Sequence, residues 1–218
     1  MITLSKRAFI AFASTLLAFT LVGPASAQSP KIEEGFDYRI LQNPQPVSAK
    51  GKIEVIEFFW YGCPHCYDFE PEISTWVKRQ AKDVVFRQVP VAFRDNLIPH
   101  SQLFYALEAM GKGAAMNEKV MYAMHKENKR LMTETEIADW VASQGMDRAT
   151  FLGAYRSFAV VSKARAARQL ADTYRIDGVP TVVMQGRYVT SPSIAGTKAK
   201  TIAVMDYLEK KIRKDKYQ

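Results

Sequence analysis

From Lys52 to Tyr61 the chain reads KIEVIEFFWY. β-Branched and aromatic residues dominate, and polar residues do not alternate with them. A strand with one wet face alternates. A strand without a polar face must be covered on both sides, which places it centrally in a sheet with helices packed against it. Gly62 ends the run. Beyond Pro64 the apolar spacing changes, and Phe69, Ile73, Trp76 and Val77 recur at helical intervals. Pro64 suits a first helical turn, where its missing N–H costs nothing, and Pro71 is expected to kink the same helix. DVVFRQVPV, Asp83 to Val91, reads as a second strand. Strand, helix and strand in that order predict a parallel pair with a right-handed crossover.

From Pro99 to about Ala159 the pattern becomes a run of short helices, one opening at Thr133 with a capping box. VVSKARAARQLADTYRI is a long amphipathic helix leading out of this block. GVPTVVMQGRYVTSP, Gly178 to Pro192, reads as a β-hairpin turning at Gln185-Gly186, and a last helix closes the chain. The expected organisation is an α/β domain formed by residues 28–97 and 165–218, interrupted by a helical domain over residues 98–164. Six of the nine methionines fall between Met110 and Met146. Met-rich surfaces bind varied partners, but gap-filling in a helical core is the simpler reading.

The N-terminus has its own logic. Lys6 and Arg7 precede an apolar stretch from Ala8 to Gly23, and Ala25 to Ala27 offer an Ala-x-Ala site. This is the layout of a signal peptide over residues 1–27, cleaved before Gln28; an uncleaved anchor is the alternative. Cleavage leaves 191 of the 218 residues, enough for one good core or one domain with an insertion. The formal charge is +8, or +6 without Lys6 and Arg7. No Lys/Arg block is interleaved with aromatics, so no nucleic-acid partner is expected.

An export signal implies a compartment where disulfides persist. The chain nevertheless holds only two cysteines, Cys63 and Cys66. They can pair only with each other, and closing so short a loop removes little chain entropy. The pair is a poor staple, which favours chemistry. Thiol–disulfide exchange needs an attacking thiolate and a second thiol within reach. Cys-x-x-Cys at a helix start supplies both, with Cys63 expected at the cap facing solvent and Cys66 one turn along pointing inward. The unpaired N–H groups there stabilise a negative sulfur. His65 can add a charge or a hydrogen bond, or it is an inert surface histidine. A zinc site is the competing reading of two cysteines near a histidine. It would need ligands from His65, His100, His125 or carboxylates, and there is no second cysteine pair.

EFFWYGCPHCYDFEP resembles the active-site segment of the DsbA family, the thioredoxin-fold thiol:disulfide oxidases of the bacterial periplasm. Cys-Pro-His-Cys is characteristic of that family. GVPT, Gly178 to Thr181, matches its loop around a cis-proline, and the helical block lies where the family carries an inserted helical domain. The resemblance covers nearly the whole mature chain and implies a thioredoxin fold with an all-helical insert. It further implies Cys63 as the nucleophile, Cys66 as the resolving thiol, and Pro64 and His65 as tuners of the thiolate. Val179-Pro180 becomes the cis-peptide beside the disulfide, presenting backbone to substrate. Glu57 and Glu70 match acidic residues near the family's active site. Glu57 lies in an apolar strand, so a buried carboxylate with a raised pKa, relaying a proton to or from Cys66, is expected; a carboxylate facing water at a sheet edge is the alternative. One departure stands out. Where the best-known members carry a lysine on the strand after the active-site helix, this chain has Gln88, with Arg87 beside it.

The implied activity is donation of a Cys63–Cys66 disulfide to unfolded exported proteins in the periplasm. The protein is expected to be monomeric, to need no cofactor or metal beyond the redox disulfide, and to be reoxidised by a DsbB-type quinone-linked membrane oxidase. A disulfide isomerase or reductase on the same fold, and a peptide-binding chaperone with silent cysteines, are the rivals. Only about 25 residues separate Gln28 from the first core strand, too few for the N-terminal dimerisation domain that periplasmic isomerases carry.

Overall fold

A computed structural model describes residues 31–216. The expected signal peptide, residues 1–27, lies outside them. Ile32 onward forms one compact unit. Its centre is a five-stranded sheet in the order β1-β5-β4-β2-β3. The strands are β1 (Arg39–Ile40), β2 (Ile53–Phe59), β3 (Val84–Pro90), β4 (Thr181–Met184) and β5 (Tyr188–Thr190). The helices are α1 (Pro64–Lys78), α2 (Ile98–Ala109), α3 (Gly113–His125), α4 (Glu134–Ser143), α5 (Arg148–Tyr155), α6 (Phe158–Thr173), α7 (Pro192–Ala195) and α8 (Lys198–Lys216).

β2 is buried along its whole length, as its unbroken apolar run requires. It pairs parallel with β3 and antiparallel with β4. Because side chains alternate between faces, Ile53 and Val55 meet Phe69, Ile73 and Trp76 of α1, together with Val204, Met205 and Leu208 of α8. Ile56 and Phe58 meet Ala167 and Ala171 of α6 on the other face. Each large side chain so buried is worth about 1.5–3 kcal/mol. α1 continues through Pro71 to Lys78. On α8, Asp206 accepts hydrogen bonds from the Trp76 indole and the Arg79 guanidinium, which ties the two helices together.

The hairpin turns where the dipeptide signal placed it. Gln185 and Gly186 both have positive φ, 54° and 61°, as a two-residue turn between twisted strands demands. Gly186 is further restricted, since a Cβ there would stand 2.1 Å from the Gln45 carbonyl oxygen. Thr133 caps α4 with its hydroxyl while Glu136 reaches back to the Thr133 N–H, the reciprocal pair its spacing promised. Met116 and Met121 are buried, and Met110, Met124 and Met146 pack beside them, so five of the six clustered methionines fill the helical core. That core is continuous with Phe59, Tyr61, Cys63 and Cys66. α6 runs unbroken across the expected boundary at residues 164–165.

Candidate active site

α1 starts at Pro64 because Cys63 caps it. The Cys63 backbone is extended (φ −85°, ψ 116°), and its sulfur accepts the Cys66 N–H at 3.3 Å, where a serine or aspartate oxygen usually sits. The Cys63 carbonyl takes the Cys66 and Tyr67 N–H groups, each at 3.1 Å. The thiols are unbridged.

Cys63 does not face solvent as expected; it is 7 % exposed. The Val179 carbonyl stands 3.3 Å from its Sγ and accepts from the thiol. The Val179–Pro180 peptide, which brings that carbonyl in, is cis. Pro64 and His65 are exposed.

The two sulfurs are pushed in opposite directions. Cys63 is lowered to about 6, first by a hydrogen bond from the Cys66 side chain, then by the backbone N–H groups of Cys66 and His65 and by the charge of His65; burial opposes this. Cys66 is fully buried and raised far above an ordinary thiol, by desolvation first and then by its neighbour Cys63 and the Glu57 carboxylate. The outer sulfur is made to be ionised and the inner one to hold a proton.

Below them lies a polar cluster whose placement follows from register. Glu57 sits opposite Gln88 in the β2–β3 ladder, so their side chains share a face. Glu57 is completely buried, which removes the sheet-edge alternative. Glu70 follows Cys66 by one helical turn and arrives at the same place. The Gln88 Nε2 donates to Glu57 Oε2 at 2.8 Å and to Glu70 Oε2 at 3.3 Å. Asn117 of α3 closes the group, donating to Gln88 Oε1 at 3.1 Å. Burial, then the Glu70 charge, raises Glu57 to about 8; burial likewise raises Glu70. Glu54, three residues earlier on the opposite face of β2, behaves differently. It is equally buried, but it accepts from Arg87 at 3.0 Å and from Ser48 at 2.6 Å, and these hold it below the usual carboxylate range against the cost of burial. The Arg87 beside Gln88 therefore serves the other side of the sheet and leaves Glu57 with a neutral partner.

Sequence reasoning missed the role of three contributors from the helical block, two of which it named only as possible zinc ligands. Asn117 is one. His100 and His125 are the others: Nδ1 of His100 accepts from the Trp60 indole at 2.8 Å, and Nε2 of His125 bonds the Tyr61 carbonyl at 2.8 Å. They brace successive residues of the turn before Cys63. Among the described residues no group of three or more His, Cys, Asp or Glu could hold a metal ion.

A family model described as a DSBA-like thioredoxin domain matches residues 54–201. The chain belongs to the DsbA family. It is 46% identical over 195 residues to the thiol:disulfide interchange protein DsbA of Burkholderia cepacia, covering 89% of this chain and 92% of that one. It is 41% identical over 200 residues to the DsbA of Pseudomonas aeruginosa, covering 92% and 95%. The crystal structure of Pseudomonas aeruginosa DsbA superposes with a TM-score of 0.82 at 42% identity, covering 86% of this chain and 97% of that one. The α/β architecture with its helical block is thus that of a DsbA-type thioredoxin fold, and none of its helices among the described residues is long and apolar enough to cross a membrane.

Proposed function

We propose that the chain is a thiol:disulfide oxidase that donates a Cys63–Cys66 disulfide to newly exported proteins in the periplasm. The observation that carries this reading is the opposed pair of sulfurs, Cys63 lowered to about 6 and Cys66 raised, with the Cys66 backbone N–H donating to the Cys63 sulfur. A sulfur that is stable as a thiolate is a good leaving group, and stabilising it stabilises the dithiol protein, which makes the disulfide form the oxidant.

A substrate thiolate attacks Sγ of Cys63. The Cys63–Cys66 bond breaks, and its electron pair goes to Cys66. Protonated Glu57 supplies the proton that the inner sulfur demands. A second substrate thiolate then attacks the substrate sulfur of the mixed disulfide; the substrate disulfide forms and Cys63 leaves as thiolate. Two electrons have moved from substrate to protein. Pro64 fixes the first turn, His65 adds charge, and Val179 and Pro180 line the approach with backbone. We propose further that a DsbB-type quinone-linked membrane oxidase restores the disulfide, that the protein acts as a monomer without cofactor, that residues 1–27 are removed on export, and that residues 98–164 form an insert in the domain of residues 28–97 and 165–218.

The test is equilibration of the mature protein with a glutathione series, alongside oxidation of a reduced peptide dithiol. A pair more oxidising than thioredoxin, whose peptide oxidation is lost in Cys63→Ser, supports the oxidase. A thioredoxin-like potential points to a reductase. Unchanged peptide binding with no exchange in the wild type points to a chaperone.

A further inference from the structure

His100 is buried, 1 % exposed, at the first turn of α2, and the exchange chemistry does not use it. Both of its ring nitrogens are engaged. Nδ1 accepts the Trp60 indole N–H at 2.8 Å, so the proton of the neutral ring is on Nε2, which donates to the Arg130 carbonyl at 3.1 Å. The imidazole also stacks on the indole, with centroids 5.9 Å apart and planes 25° apart. His125 makes a different kind of contact. Its Nε2 bonds a carbonyl, a role that an imidazolium keeps. Only the neutral form of His100 fits its site.

The far end of this brace is the Arg130 carbonyl. Arg130 lies in the α3–α4 loop between Asn128 and Leu131, which have φ of 55° and 50°. Leu131 is buried and anchors that end of the loop, while residues 126–130 are exposed. The near end is the active-site turn. The Trp60 ring lies against Gly62, where a Cβ would come within 2.4 Å of it, so Gly62 leaves the room the ring occupies. The Trp60 carbonyl takes the Cys63 N–H at 3.0 Å. The chain of contacts runs from the α3–α4 loop beside buried Leu131, through one imidazole and one indole, to the backbone that sets the cap of α1.

We infer that His100 is a positioning residue for the exchange reaction: by accepting the Trp60 indole N–H it pins the ring on Gly62 and so holds the Trp60–Cys63 turn in the form that presents the Cys63 sulfur. The inference rests on Cys63 being the attacked sulfur. Burial lowers the basicity of His100, and the groups packed on it oppose this, the Arg130 and Leu131 backbone first and then the Glu136 charge from α4. Its other neighbour is the Trp60 indole. When His100 does take a proton, Nδ1 ceases to accept and the indole is released.

The test uses mature protein with ¹⁵N-labelled tryptophan, in which Trp60→Phe identifies the Trp60 indole signal. His100→Asn places an amide oxygen near the position of Nδ1 and cannot titrate; His100→Phe keeps the bulk and removes the acceptor. In His100→Phe the indole N–H should lose its protection, the Cys63 thiolate absorbance should titrate higher, and kcat/KM for a peptide dithiol should fall on the order of threefold, as loss of one hydrogen bond implies. His100→Asn should restore all three. Acid protonates the substrate thiol in every variant, so the readouts are the indole signal and the ratio of wild-type to His100→Asn exchange rates: in wild type the signal should be lost in acid and the ratio should fall with it, while His100→Asn keeps its signal. A His100→Phe protein with wild-type Cys63 titration and exchange and only a lower Tm would overturn the inference. So would a bonded indole in His100→Asn without rescue. If His100→Phe does not fold, the comparison of wild type with His100→Asn decides alone, and an indole signal and a rate ratio between the two that do not change with pH refute it. Exchange by the wild type in the same assay separates failure here from failure of the oxidase reading.

Discussion

Glu57→Gln should make the protein more stable in base and less able to complete its chemistry. The folded chain holds the Glu57 carboxyl proton up to about 8, because the side chain is wholly buried against Glu70 with only the Gln88 amide as donor. The unfolded chain releases it near 4.5, the ordinary value. Between these limits the folded state binds the extra proton, so stability is full below the lower value and drains away as pH rises through the upper one. Taking 1.36 kcal/mol per unit, the Glu57 contribution falls by about 3 kcal/mol between about pH 5 and pH 8. A glutamine in its place can still accept from Gln88 and carries no proton to lose. The assay is urea denaturation of the disulfide form, which removes the Cys63 charge, at both pH values. The wild type should lose about 3 kcal/mol more than Glu57→Gln on going from acid to base. Equal losses in the two proteins would mean that Glu57 is not held protonated, and the proton supply to Cys66 would need another source.

His65→Ala should raise the Cys63 titration by less than about one pH unit, since the His65 charge is the smallest of the causes acting on that sulfur and the Cys66 and His65 N–H groups remain; thiolate absorbance measures it, and a return to an ordinary thiol would reassign the dominant cause. Arg87→Met should cost about 1–3 kcal/mol by denaturation, because the buried Glu54 carboxylate loses its half-exposed cation and keeps only its Ser48 donors, while the peptide-oxidation rate of the folded fraction stays near wild type. Thr133→Ala should lower stability by about 1 kcal/mol through loss of the α4 cap, again without a change in the Cys63 titration.

The parts legible in the sequence were those with a local cause. The apolar run of β2, the helical spacing after Pro64, the Gln185-Gly186 turn and the Thr133 capping box each declare themselves within a few residues. β1 did not, since two residues have no periodicity and Arg39–Ile40 is a strand only because β5 offers an edge. The burial of Cys63 was equally hidden, because the carbonyl that covers it comes from Val179, 116 residues away. Asn117 and His100 look like ordinary helix residues until α3 and α2 are laid against the sheet and the turn before Cys63. The role of Gln88 needed the register as well. Sequence could show that a glutamine stands where a lysine is usual in the family, but only the pairing of Glu57 with Gln88, and of Arg87 with the opposite face, shows that Arg87 does not step in.

That alternation makes the sheet an electrical partition. On the α6 side β2 carries a permanent ion pair, Glu54 with Arg87, whose charges do not change during turnover. On the α1 side, three residues along the same strand, Glu57 is the carboxyl that in the proposed exchange gains and loses a proton as the sulfurs cycle. One layer of backbone separates a fixed charge from a working one. Stability can then be adjusted on one face, and oxidising strength on the other, by substitutions whose effects add rather than interfere.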